Sequence, residues 1–106
     1  MRSITSALLI PLFAVALHSS VHAQDPAKAR AGERIYRNYC ATCHGDDLVN
    51  SSTSTFDLRK LRADERPRFE NSVTNGKNQM PPWKGVVSPE DIDLLWNYIR
   101  ANTTAK

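Results

Sequence analysis

The chain has 106 residues, a formal net charge of +3 from 14 Lys and Arg against 11 Asp and Glu, and two cysteines. That length makes one domain, and the charge excess is too mild to argue for a nucleic-acid partner. Two cysteines are too few for a disulfide scaffold, and no apolar run reaches the ~20 residues of a membrane-spanning helix.

The N-terminus reads as a targeting segment. Arg2 supplies a positive start, Ala7 to Leu17 is apolar, and His18 to Ala23 is a polar tail with Val21 and Ala23 at the cleavage-site positions. This is the build of a secretory signal peptide cut after Ala23, which gives the organisation 1–23 signal peptide and 24–106 mature domain, and a periplasmic location. The alternative, an uncleaved anchor, is opposed by the short apolar run and by Pro11 within it. A mature domain of roughly 80 residues has a weak core and usually needs a metal, disulfides or a bound group. Cleavage would also remove His18, His22 and Met1, leaving one histidine, His44, and one methionine, Met80.

After Pro26, which suits a first helical turn, the pattern is helical from Ala27 to about Cys43. Ala29, Gly32, Ile35, Tyr36 and Tyr39 recur at spacings of three and four, and Gly45 is the expected stop. On one last turn, Cys40 and Cys43 would share a face. Asp46 to Thr55 is a polar loop. A second helix is expected from Asp64, as cap, to Asn75, with Pro67 in its first turn, Phe69 and Val73 as an apolar pair and Gly76 as terminator. Lys77 to Val87 reads as an irregular loop. Ser88-Pro89-Glu90-Asp91 opens a last helix whose apolar stripe is Ile92, Leu95, Trp96 and Ile99. With no alternating strand, the fold class is all-α, three or more helices with long loops.

Cys40-Ala41-Thr42-Cys43-His44 is a Cys-x-x-Cys-His run, the pattern of c-type haem attachment. Its thiols can add to the haem's two vinyl groups, and the histidine is placed to ligate the iron. A thioredoxin-type redox motif would need βαβ patterning, and structural zinc would need further ligands. A chance Cys40–Cys43 disulfide is the third alternative. If His and Met bind opposite faces of the iron, the mature chain offers only His44 and Met80. Taken alone, Met80 reads as a gap-filling core residue, but it lies in a loop stiffened by Pro81 and Pro82. Such an iron has both axial positions filled and a raised potential, suited to passing single electrons.

Arg59 and Trp83 are secondary candidates for the haem pocket. Arg59 could pair a propionate or simply be a solvated charge; Trp83 could wall the pocket, reach a propionate, or pack in the core. Arg30, Arg34, Arg37, Arg59, Lys60, Arg62, Arg66 and Arg68 suggest a docking patch for an acidic partner, but interleaved acids favour a solvated surface.

Over nearly all of its mature length the chain resembles a class I c-type cytochrome. The likeness rests on the helix running into CATCH, the loop NGKNQMPPWKG and the final helix SPEDIDLLWNYI. It implies a small cytochrome c fold around one covalent haem c, with the first and last helices crossing at Gly32 and Tyr36 against Leu95 and Tyr98. In many members a proline after the haem histidine accepts a hydrogen bond from its imidazole. Here no proline lies between Pro26 and Pro67, so the orienting partner of His44 is unassigned. The segments around the methionine loop are also similar to small cytochromes that accept electrons from quinoprotein alcohol dehydrogenases. The expected function is therefore a non-enzymatic electron carrier between a dehydrogenase and an acceptor such as an oxidase or another cytochrome. It would take no nucleic acid and make no stable membrane insertion after cleavage. The alternatives are a haem enzyme or gas sensor with a labile Met80, or a cytochrome subunit of a dehydrogenase complex.

Overall fold

The computed structural model describes residues 25–104 apart from Ser51, with Leu8, Ile10, Pro11, Phe13 and Ala14 described near the N-terminus. The cleavage site at Ala23 lies outside the described residues. Among those described, the structure is helical: α1 (Pro26–Tyr39), α2 (Ala41–His44), α3 (Arg66–Asn75) and α4 (Pro89–Ala101), joined by loops that carry short 3-10 turns. This is the expected all-α architecture. No helix among the described residues is long and apolar enough to cross a membrane.

The helix ends follow local chemistry. Asp25 caps α1, its carboxylate accepting from the Ala27 N–H at 2.9 Å, and Pro26 needs no partner for a missing N–H. Ser88 and Asp91 form a reciprocal capping box on α4, with bonds of 3.0 and 3.1 Å. Two boundaries differ from the sequence reading. The second helix begins at Arg66, not Asp64, after a 3-10 turn over Ala63–Glu65. Glu65 closes that turn on Arg62, its N–H donating to the Arg62 carbonyl at 3.0 Å and its carboxylate accepting from the Arg62 N–H at 2.9 Å. Asp64 is not the cap; its carboxylate pairs with Arg62 at 3.1 Å.

The second difference bears on the site. The first helix stops at Tyr39, and Cys40 (φ −118°, ψ −32°) bends the chain into the separate turn α2. Cys40 and Cys43 therefore do not share the last turn of one straight helix. The buried Tyr36 hydroxyl donates to the Gly45 carbonyl at 2.5 Å. In a straight helix nine residues separate these groups by roughly 13 Å along the axis, beyond a tyrosine's reach. The bend at Cys40 makes this bond possible, and the bond holds α2 folded back against α1.

α1 and α4 cross at close range. A Cβ on Gly32 would lie 1.9 Å from the Leu94 carbonyl oxygen, so only glycine permits this backbone approach. One turn on, the Tyr36 and Tyr98 rings meet at 5.3 Å and 52°. The core is completed by Leu48, Leu61, Phe69, Val73, Val87, Ile92, Leu95, Trp96 and Ile99, all buried. The stripe expected on α4 is thus the core stripe, and the expected Gly32, Tyr36, Leu95 and Tyr98 crossing is present. Outside it, Asp93 on α4 receives Lys28 of α1 at 3.1 Å and Arg66 of α3 at 3.0 Å, linking three helices.

Candidate haem site

Cys40 and Cys43 are free thiols, one half-buried and one exposed. Burial, with Cys43 nearby, pushes the Cys40 thiol up to about 11. His44 ends α2. Its Nδ1 lies 3.3 Å from the Phe56 carbonyl oxygen, twelve residues along the chain. A carbonyl only accepts, so Nδ1 carries the proton and Nε2 keeps a free lone pair. Burial lowers the His44 pKa, and the Phe56 bond opposes that shift, so the ring favours the neutral form that a metal requires.

The loop bearing Met80 is tied down along its length. Lys77 and Met80 exchange backbone hydrogen bonds of 2.9 and 3.0 Å across a tight turn. The Trp83 N–H donates to the Val73 carbonyl at 2.8 Å, and Lys84 to Thr74 at 3.2 Å. Gly76, at φ +74°, lies so close beneath this loop that a Cβ would meet the Met80 oxygen at 2.6 Å. What reads as an irregular loop is therefore a fixed one, because its backbone groups find partners on α3.

Of the expected site residues, Cys40, Met80 and Trp83 border the core. Ile35, Cys40, Ala41, Leu58, Met80 and Trp83 all pack half-buried against the core. Trp83 meets the Tyr39 ring at 5.3 Å, joining the methionine loop to the helix end just before Cys40. Arg59 differs: its guanidinium is engaged by Asp57 through bonds of 3.0 and 2.9 Å. The suggested basic patch is likewise largely ion-paired: Arg37 to Glu33, Arg62 to Asp64, Arg66 to Glu70 and Arg68 to Glu65.

This arrangement fits a haem. Two unpaired thiols, an imidazole with a free Nε2 and a half-covered apolar border are the donors and walls that a flat, apolar, thioether-linked ring needs. Among the described residues, no group of three or more His, Cys, Asp or Glu side chains converges as a protein-only metal cage would.

Residues 27–99 match the family described as cytochrome c oxidase, cbb3-type, subunit III. This chain is a class I c-type cytochrome. It is 34% identical to cytochrome c6 of Nostoc sp. over 99% of its own length and 97% of the relative's. It is 31% identical to the cbb3-type oxidase subunit CcoP of Rubrivivax gelatinosus, over 88% of this chain and 33% of that subunit. A solved structure of the quinohemoprotein alcohol dehydrogenase ADHIIG of Pseudomonas putida HK5 aligns with a TM-score of 0.63 at 30% identity, over 74% of this chain and 12% of that one. The cytochrome thus spans a third or less of these two larger proteins, in contrast to its full-length match to cytochrome c6. Family membership makes it a monohaem electron carrier with covalently bound haem c, not an enzyme.

Two contributors left no mark in the sequence reading. The Phe56 carbonyl could not be found by side-chain type, because any residue carries one. The Tyr36 hydroxyl was hidden behind a packing role that a phenylalanine would fill equally well.

Proposed function

We propose that Cys40 and Cys43 hold haem c by thioethers, that His44 and Met80 are its axial ligands, and that the cytochrome is an exported periplasmic carrier. The haem supplies a one-electron iron couple. The chain's own residues supply the rest. α2 presents the second thiol and the imidazole from adjacent positions. Phe56 fixes the His44 tautomer, leaving Nε2 for the iron. The tied methionine loop holds the thioether of Met80 with little freedom to leave. Trp83 and Tyr39 bury apolar surface against each other between the two elements.

The single observation that carries this reading is the His44 ring, protonated at Nδ1 toward Phe56 and free at Nε2, beside two unpaired thiols. Similarity to the cytochrome segment of a quinohemoprotein dehydrogenase and to an oxidase subunit supports a quinoprotein dehydrogenase as donor and an oxidase or other cytochrome as acceptor. The putting-together of α1, α2 and the methionine loop favours a carrier over a sensor, since a loop anchored at both ends opposes Met80 release. Met80→Ala tests the ligand set. The variant should retain covalent haem, lose the far-red charge-transfer band of methionine-bound ferric iron, and bind carbon monoxide when reduced. An unchanged spectrum would remove Met80 as ligand.

A further inference from the structure

The orienting carbonyl of His44 belongs to Phe56, a residue without a ring lock on its φ. Something else must hold it. On the N-terminal side, the Asn50 side chain donates to the Thr55 carbonyl at 2.5 Å. On the C-terminal side, the Asp57 carboxylate accepts from the Arg59 N–H at 3.0 Å and caps the turn Leu58–Lys60. These bonds fix the flanking peptides but leave the Phe56 side chain, 41% exposed, without a seat in the core. Over its ring lies Arg68, on the surface of α3, with the guanidinium carbon 4.6 Å from the ring centroid. Arg68 is itself held by Glu65 at 3.1 Å.

We propose that Arg68 is a positioning residue for His44, acting through Phe56. Its guanidinium clamps the Phe56 ring by a cation–π contact and so aims the Phe56 carbonyl at Nδ1. The proposal rests on His44 being the iron ligand. A firm Nδ1–H···O=C bond makes the imidazole a stronger donor, favours the oxidised iron and lowers the reduction potential. Releasing the clamp weakens that bond and raises the potential. Loss of the Arg68 positive charge acting only through space would do the opposite, because a nearby cation disfavours the more positive oxidised state. The sign of the shift therefore separates positioning from simple electrostatics.

The test uses the haem-loaded protein. Arg68→Gln and Phe56→Leu should each raise the reduction potential. Each should also speed solvent exchange of the His44 Nδ1 proton, followed by NMR in the reduced state, by about two- to fivefold, as expected for loss of a contact of this class. The double variant should add little to either single one, and Arg68→Lys should lie closer to wild type than Arg68→Gln. A lowered potential with unchanged exchange would show that Arg68 acts only as a charge and overturn the proposal. So would no change in either quantity. A His44→Gly variant that kept the wild-type low-spin spectrum would instead overturn the ligand reading itself, a result distinct from an Arg68 effect that fails while His44 ligation stands.

Discussion

Replacing Gly32 with alanine sets two opposing effects against each other in one methyl group. In a helix interior, alanine is favoured over glycine by about 1 kcal/mol. Against this, the new Cβ would stand 1.9 Å from the Leu94 carbonyl oxygen and 2.5 Å from its carbon. Both are backbone atoms of α4, so no rotamer change relieves the clash. The helices must separate by at least about 1 Å, enough to forfeit a quarter to a half of the dispersion at the affected contacts. Those contacts include Tyr36 against Tyr98 and the seat of Leu95, among the most buried side chains of the core. Forced overpacking costs about 1–3 kcal/mol, and a backbone-on-backbone clash belongs at the upper end. After the helical gain is subtracted, a net loss of about 2 kcal/mol remains, which for a domain this size lowers Tm by roughly 10 °C. Thermal unfolding of the haem-loaded protein, followed by far-UV circular dichroism, measures it. A Gly32→Ala variant as stable as wild type, or more so, would refute the reasoning, because it would mean that propensity outweighs the crossing.

Three further substitutions probe other joints. Tyr36→Phe keeps the ring packing but removes the donor to Gly45; it should cost about 1–2 kcal/mol in denaturant unfolding, since a part-buried carbonyl loses its partner. Ser88→Ala removes one half of the α4 capping box and should cost about 1 kcal/mol by the same assay. Asp93→Asn breaks the link among α1, α3 and α4, and because the pair partners are about a third to a half exposed the loss should stay below about 1 kcal/mol and shrink with salt. Its pH dependence has a definite sign. Hydrogen bonds, from Lys28 foremost, hold the Asp93 carboxyl below its ordinary value. The stabilisation is therefore complete above the unfolded value near ~3.9. It disappears as pH falls through the folded value, so the Tm gap between wild type and Asp93→Asn should close on acidification. A gap that widened at low pH would contradict the assignment.

Legibility in the sequence tracked how local each cause was. The caps of α4, the stop at Gly76 and the apolar stripe Ile92, Leu95, Trp96 and Ile99 are set within a few residues of themselves, and all were readable. The bend at Cys40 was not, because the bond that holds it runs from Tyr36 to Gly45, beyond the reach of helical periodicity. The start of α3 at Arg66 is less legible: Asp64 has a capping side chain, but Glu65 bonds back to Arg62 and closes a 3-10 turn first. Among candidate site residues, Cys40, Cys43 and His44 could be named because their chemistry is tied to a fixed spacing. Met80 could be named because residues 24–106 hold no other methionine.

Arg59 and Phe56 expose the limit from two sides. A guanidinium near the ring was a reasonable reading of Arg59, but Asp57, two residues back, occupies it at 3.0 and 2.9 Å. That pair also stiffens the turn that follows Phe56. The orienting role that a proline ring fills in many relatives is here spread over Asn50, Asp57 and Arg68. Each acts through ordinary local contacts, and none would be picked out by residue type. A single rigid residue can be recognised in a sequence; several soft contacts with the same effect cannot, because their effect exists only once Phe56 and α3 are brought side by side. It follows that the tuning of His44 should be more sensitive to surface substitutions on α3 than in a cytochrome whose orienting carbonyl is held by proline.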